Sequence, residues 1–379
     1  MAPPADKPLR ILHAVRAPVG GIFRHIVDLA NGQADRGHEV GIVADSLTGG
    51  ERAAKALAEI APRMKLGVYR IAIHRDPRPA DLLVWMHFVR MVRKLKPNVL
   101  HGHGAKAGVF LRLRERASGT IRVYTPHGGS LHYPLCTTKG AIYSSLERAL
   151  MNNTDLFLFE SAFARDTYQR TIGTPKGLVR CVFNGVTADE FDPVAKADDS
   201  TDLVYVGEFR RIKGADLLID ALARLHADRK SLTLTLAGDG EETAALKAQV
   251  EKLGLSRSVR FIGHVKARHG FSKGRLLVVP SRGDSMPYVV IEAAAAGIPM
   301  MAANVGGIPE ILGEHTDALF APNIIGAMAD AIETALDDPE AARARAKALR
   351  ERIFLHFSQK AMVEGVLAGY RDAFAESGT

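Results

Sequence analysis

Short β-branched and apolar runs alternate along the chain with longer stretches of helical periodicity, the order expected of parallel sheets built from βαβ units. Leu9 to Val15 predicts a buried strand and Gly20-Gly21 a tight loop, while Ile22, Phe23, Ile26, Val27 and Ala30 share a helix face that ends near Gly37. His38 to Ala44 predicts the second strand, and Lys65 to Ile71, Asn98 to His101, Arg122 to Thr125, Leu156 to Glu160 and Val179 to Phe183 continue the series. A second series follows Asn184-Gly185-Val186 and the polar stretch Asp189 to Asp202. Its strands are expected at Leu203 to Val206, Leu232 to Leu236, Val259 to Ile262, Leu276 to Pro280, Pro299 to Ala303 and Ala318 to Phe320, with helices from Pro339 onward. The fold expected is α/β, with two Rossmann-like doubly wound domains: residues 1–186, then residues 187–357, with the last helix, 358–379, packing back on the first domain. Ligands of such sheets bind beyond the carboxyl ends of the strands, which predicts a central cleft faced by both sheets.

Composition changes this picture mainly through charge. The net +8 is unevenly shared: residues 1–186 hold 27 Lys and Arg against 14 Asp and Glu (+13), and the remainder 23 against 28 (−5). Arg90, Arg93, Lys94 and Lys96, and again Arg112, Arg114 and Arg116, sit in helical stretches beside apolar residues. Each cluster reads either as a solvated helix face or as an attraction to an anionic partner, whether membrane surface or phosphate-bearing acceptor. Nucleic acid is not expected, because aromatic residues make up 6% and no recognition motif is present. Cys136 and Cys181 match no metal or disulfide spacing. Neither a signal peptide nor a window of about eighteen uncharged apolar residues occurs, so the expected location is cytoplasmic, peripheral on the inner face of the cell membrane.

Missing motifs narrow the chemistry further. No Gly-Lys dipeptide occurs, which removes the P-loop enzymes, and no Asp-x-Asp pair is present to hold a divalent cation on a diphosphate. Gly102-His-Gly104-Ala-Lys-Ala-Gly108 approaches a dinucleotide fingerprint, but its third glycine is one position late. Three loops of the second half can neutralise a diphosphate without metal. In Val206-Gly207-Glu208-Phe209-Arg210-Arg211-Ile212-Lys213-Gly214 a strand ends in a glycine turn with three cations before a helix. In Ser281-Arg-Gly-Asp284-Ser285-Met286-Pro287-Tyr288-Val289-Val-Ile-Glu292, Ser285 is expected to cap a helix with Pro287 in its first turn, and Asp284 and Glu292 offer two carboxylates to sugar and ribose hydroxyls. Asn304-Val305-Gly306-Gly307-Ile308-Pro309-Glu310 is a weaker glycine turn.

Taken together these motifs resemble the group 1 glycosyltransferases, the retaining family of GT-B fold that includes lipopolysaccharide and exopolysaccharide enzymes. Gly20-Gly21 is similar to the family's N-terminal glycine loop, Tyr124-Thr-Pro-His127-Gly to its histidine-bearing strand end, and Val182-Phe-Asn184-Gly-Val to its domain-joining turn. Arg210 to Gly214 resembles the diphosphate loop, Leu236-Ala-Gly238-Asp-Gly240 and Val259-Arg-Phe-Ile262-Gly263 the nucleoside-side strands, and Asp284 with Glu292 the paired acids. The resemblance implies a retaining, metal-independent transferase with no cofactor, taking a UDP- or GDP-sugar as donor and a glycan or lipid-linked acceptor of cell-envelope synthesis. It also implies that His127, Arg210, Lys213 and Asp284 are catalytic, and that His103, Lys106 and His132 face the acceptor. Glu208 stands where many members have an arginine, which transfers that role to Arg210, and Asp284 replaces the more usual glutamate. An epimerase of the same fold, a silent nucleotide-sugar sensor and a nicotinamide oxidoreductase stay open as alternatives.

Overall fold

The computed structural model describes residues 7–76, 78–113, 119–128, 137–228 and 232–377. The chain divides into two compact units, Met1–Asn184 with Gln359–Thr379, and Gly185–Ser358. The first unit contains strands β1 (Arg10–Val15), β2 (Glu39–Asp45), β3 (Gly67–Ile71), β4 (Val99–His103), β5 (Ile121–Thr125), β6 (Leu156–Phe159) and β7 (Leu178–Cys181). Its helices are α1 (Gly20–Asp35), α2 (Gly50–Ile60), α3 (Asp81–Leu95), α4 (Ala105–Arg112), α5 (Thr138–Met151) and α6 (Ala162–Thr171). The second unit has β8 (Thr201–Val206), β9 (Leu234–Ala237), β10 (Val259–Gly263), β11 (Gly274–Val279), β12 (Met300–Ala303) and β13 (Leu319–Phe320). With them come α7 (Ala215–Asp228), α8 (Thr243–Lys252), α9 (Ala267–Ser272), α10 (Tyr288–Ala295), α11 (Ile308–Leu312), α12 (Ile325–Asp337) and α13 (Pro339–His356). The last helix, α14 (Gln359–Ser377), belongs to the first unit.

Both sheets are parallel throughout, in the orders β3-β2-β1-β4-β5-β6-β7 and β10-β9-β8-β11-β12-β13. The strand order reverses between β1 and β4 in the first sheet and between β8 and β11 in the second, and these are the points where such sheets leave a crevice for ligand.

Parallel strands covered on both faces read as continuous apolar runs, and β1 follows the rule. Successive side chains point to opposite faces, so Ile11 packs with Val99, Val123 and α14, while Leu12 packs with Leu100, Phe88 and Phe110. The α14 stripe Met362, Val363, Val366, Leu367, Tyr370, Ala373 and Phe374 is spaced for one helix face and is buried against that first cluster.

The glycines of the fingerprint-like segment serve packing. A Cβ on Gly102 would lie 2.1 Å from Leu111 Cδ2 and 3.0 Å from Gly108 Cα, so the pair lets α4 lie close on β4. Arg112, one of the basic residues read as a helix face, is fully buried and ion-paired with Glu147 at 2.8 Å, whose other oxygen accepts from Tyr124 at 2.7 Å. It is therefore a core residue unavailable to a partner, whereas Arg90, Arg93, Lys94 and Lys96 are exposed.

Candidate active site

Two constellations gather at the two switch points. In the second unit the loop after β8 and the loop after β11 are tied together. Arg282 N donates to Ile212 O at 2.8 Å, Arg282 Nη1 to Arg211 O at 2.7 Å, and its guanidinium grips Asp216 through two bonds of 2.7 Å each. Burial pushes the Asp216 carboxyl up, but the Arg282 bonds and the Arg211 charge bring it below the usual carboxylate range. With the loop thus fixed, Lys213 Nζ lies 2.6 Å from Asp284 Oδ2, and Ser281 Oγ sits 3.4 Å from the same oxygen. A third strand end closes the group. Gly307 N donates to Asp284 O at 3.1 Å, and at Gly306 (φ +60) a Cβ would stand 1.5 Å from that carbonyl, so no side chain fits there.

The cations of the first loop are set apart by their partners. Arg210 is 47% exposed and touches Glu208 and Glu241 only at 3.8 and 3.9 Å, beyond hydrogen-bond reach. Arg211 turns to the first turn of α7, 3.0 Å from Asp216. Gly207, Gly238 and Gly263 lie at the carboxyl ends of β8, β9 and β10, with Ile262 half-buried beside Gly263.

The expected cap at Ser285 is corrected. Helix α10 begins at Tyr288, Pro287 occupies the N-cap position with φ −71 and ψ 122, and no side chain caps it. Proline has no side-chain acceptor, and Ser285 lies two residues outside the turn it would need to reach. Met286 and Tyr288 are buried, at 5% and 7% exposed. Val289 and Glu292 are half-buried on the same helix.

In the first unit Gly20 and Gly21 open α1 as exposed first-turn residues rather than forming a separate loop, with Val19 at the N-cap and no side-chain cap. Beyond that end a chain of buried histidines crosses the switch point. His13 on β1 bonds Gln33 Oε1 through Nε2 at 2.8 Å and His103 Nε2 through Nδ1 at 3.0 Å. His103 Nδ1 meets His127 Nε2 at 3.0 Å. His101 bridges Tyr370 OH and Thr125 Oγ1, both at 2.8 Å, and His25 Nδ1 lies 2.9 Å from Asn184 Oδ1. Burial lowers the pKa of His13 and His25 from 6.5 to about 4, and burial with neighbouring imidazoles lowers those of His101, His103 and His127 well below 6.5.

The ring nitrogens of His13, His101 and His103 lie within 4.8 Å of one another, as do those of His25, His103 and His127. In the first trio, however, every nitrogen already bonds a protein group, so a metal would have to displace the network.

Two acceptor assignments change on this geometry. His103 is 1% exposed and reaches outward only through His127, so it cannot touch an acceptor. Lys106 Nζ is spent on His74 O (2.6 Å), Asp76 O (3.1 Å) and Asp81 (2.8 Å), bracing the loop before α3. His132 lies outside the described residues. That loop instead walls a cavity of about 430 Å³ at the carboxyl ends of β1, β2 and β3, lined by Arg16, Thr48, His74, Arg75 and Arg78 among others.

His13, Gln33 and Tyr370 went unseen as functional residues in the sequence. Their only signal there is polarity inside apolar runs, such as His13 in the middle of RILHAV.

The family model for glycosyltransferase family 4 matches residues 19–190, and that for glycosyl transferases group 1 matches residues 186–352. Glycogen synthase of Mycobacterium tuberculosis is 27% identical over 366 residues, covering 89% of this chain and 88% of that protein. Among solved structures, sucrose-phosphate synthase of Thermosynechococcus elongatus superposes with a TM-score of 0.80 at 23% identity over 97% of this chain and 99% of that one. HepE of Anabaena, in complex with UDP and glucose, gives 0.80 at 18% identity over 95% and 98%. With a glycosyltransferase family model on each unit, family 4 on the first and group 1 on the second, and a glycosyltransferase fold along nearly the whole length, the chain is a glycosyltransferase of GT-B fold.

Proposed function

We propose that this glycosyltransferase is retaining and metal-independent, that its donor is a UDP- or GDP-sugar held by the loops after β8, β9, β10 and β11, and that its acceptor is a glycan or lipid-linked intermediate of cell-envelope synthesis. The observation that carries the reading is Lys213 fixed 2.6 Å from Asp284 at the switch point of the second sheet, with Arg210 exposed in the same loop. A fixed ammonium and a loosely held guanidinium at that position suit the charge that grows on a departing nucleoside diphosphate. Asp284 and Glu292 then face the sugar. HepE, solved with UDP and glucose, supports a donor of this class.

The protein supplies its own cations here. Among the described residues, the groups of three or more metal-ligating side chains are histidines of the first unit. Transfer from the preferred donor is therefore expected to survive saturating EDTA with the anomeric configuration kept, read by the proton coupling of the product. Activity lost to EDTA and restored by manganese, or an inverted product, would refute the reading.

For the acceptor, Arg16, Arg75 and Arg78 around the first-unit cavity favour a phosphate-bearing molecule. No described helix is long and apolar enough to cross a membrane. Helix α3 instead suits a peripheral contact, because Leu82 and Leu83 are 61% and 65% exposed at one end and Arg90, Arg93, Lys94 and Lys96 are exposed farther along. Each basic residue near an anionic surface is worth about 1 kcal/mol. Cosedimentation with vesicles containing anionic lipid is expected to exceed that with neutral vesicles and to fall at least about tenfold for Leu82→Asp/Leu83→Asp. Equal binding to both vesicle types would remove the membrane contact and leave the transferase reading intact.

A further inference from the structure

The histidine chain has a polarity. Each ring is neutral, because burial holds all of them below their ordinary range, so each carries one N–H and one bare nitrogen. Gln33 turns Oε1 toward His13 Nε2 (2.8 Å) and Nε2 toward Tyr370 OH (3.4 Å). A carbonyl oxygen only accepts, so His13 Nε2 carries its proton and His13 Nδ1 is bare. His103 Nε2 must then donate to His13 Nδ1, which leaves His103 Nδ1 bare. His127 Nε2 must donate in turn to His103 Nδ1. With the amide turned this way one order of protons satisfies every link, and reversing the Gln33 amide would reverse them all.

We propose that Gln33 is a positioning residue that sets the tautomer of His127 through His13 and His103, leaving His127 Nδ1 bare as the acceptor for a substrate hydroxyl. The outer end of the chain fits this role. Among the described residues His127 Nδ1 has no hydrogen-bond partner, and His127 is the least buried of the five histidines, held at a φ of 51° at the carboxyl end of β5. Tyr370 works from the far side. It accepts from Gln33 Nε2 and donates to His101 Nδ1, whose Nε2 then donates to Thr125, so the far side of the network runs in the same direction as the chain to His127. The ligand chemistry follows: a neutral imidazole with a bare nitrogen takes a hydroxyl and disfavours a phosphate oxygen, which would need a donor. The contact with substrate rests on the proposed transferase reading, whereas the tautomer does not.

The test is nitrogen-15 NMR of the full chain labelled at histidine, without substrate, with His127 assigned by its loss in His127→Gln. The expected result near neutral pH is a protonated Nε2 and an unprotonated Nδ1 at His127. In Gln33→Leu, and in Tyr370→Phe, which keeps the ring and removes the amide's second partner, both nitrogens should move to intermediate shifts. Transfer should fall about tenfold in these variants while UDP affinity, a property of the other unit, stays unchanged. A protonated Nδ1 in the wild type would overturn the proposal even if neither variant folds. So would a His127 spectrum that both variants leave untouched. Mixed tautomers with unaltered transfer would overturn the substrate contact and leave the nucleotide-sugar reading standing.

Discussion

Acidification from about pH 7 to about pH 5 is expected to unfold the N-terminal unit, because its buried histidines stay neutral when folded and take up protons when unfolded. The folded pKa of His13 and of His25 is about 4 against 6.5 unfolded, so the unfolded state binds more protons throughout that interval. Stability is complete above about 6.5 and is lost as pH falls toward 4, at about 1.4 kcal/mol per pH unit for each histidine. These two residues alone remove about 5 kcal/mol by about pH 4.5, comparable with the whole stability of many domains, and His101, His103 and His127 add in the same direction. The measurement is unusually clean. Trp85, the only tryptophan of the chain, lies in α3 of this unit, with its indole N–H on Phe110 O at 3.1 Å. Its fluorescence midpoint in denaturant should drop steeply across the interval. A flat midpoint would mean that the histidines are not buried as neutral groups.

The second large effect concerns the donor loops. Arg210→Ala removes a charge-assisted contact that strengthens as the phosphate leaves, costing about 1.5 to 3 kcal/mol, or about 10- to 150-fold in kcat/KM. Lys213→Ala should cost more, because it also leaves Asp284, 13% exposed and without its cation, beside an anionic donor. Adding Asp284→Asn to Lys213→Ala should then recover part of the donor affinity, a non-additivity that marks the two as one unit. Arg211→Ala should be mild, since Arg282 already holds Asp216 through two bonds. The placement of the clamp fails if Arg211→Ala is crippling while Lys213→Ala and Arg210→Ala leave transfer unchanged.

The architecture was largely legible because the inner strands are buried on both faces. The run Leu9 to Val15 becomes Arg10–Val15, and even two-residue Leu319–Phe320 falls inside the expected Ala318 to Phe320. The loops after β8 and β11 were legible as loops for a similar reason, since glycine and proline punctuate them locally. What could not be read is the pairing of side chains distant in sequence: Lys213 with Asp284, His13 with His103, Gln33 with Tyr370. A buried polar residue in an apolar run predicts a partner but not its address. The misjudged cap at Ser285 has the opposite origin. Local propensity favoured serine, and the packing of α10 begins the helix two residues later.

Helix α14 bears on how the protein is made. Residues leave the ribosome in order, so the strands β1 to β7 emerge long before Gln359–Ser377. Until then Ile11, Val99, Val123, Leu156 and Leu158 lack the helix that covers them, and His101 lacks its Tyr370. The unit Gly185–Ser358 is complete earlier and can fold while still tethered. The first unit to be synthesised is therefore the last to be finished. A nascent chain stalled before Gln359 presents an apolar sheet face to chaperones and carries an unfinished histidine network.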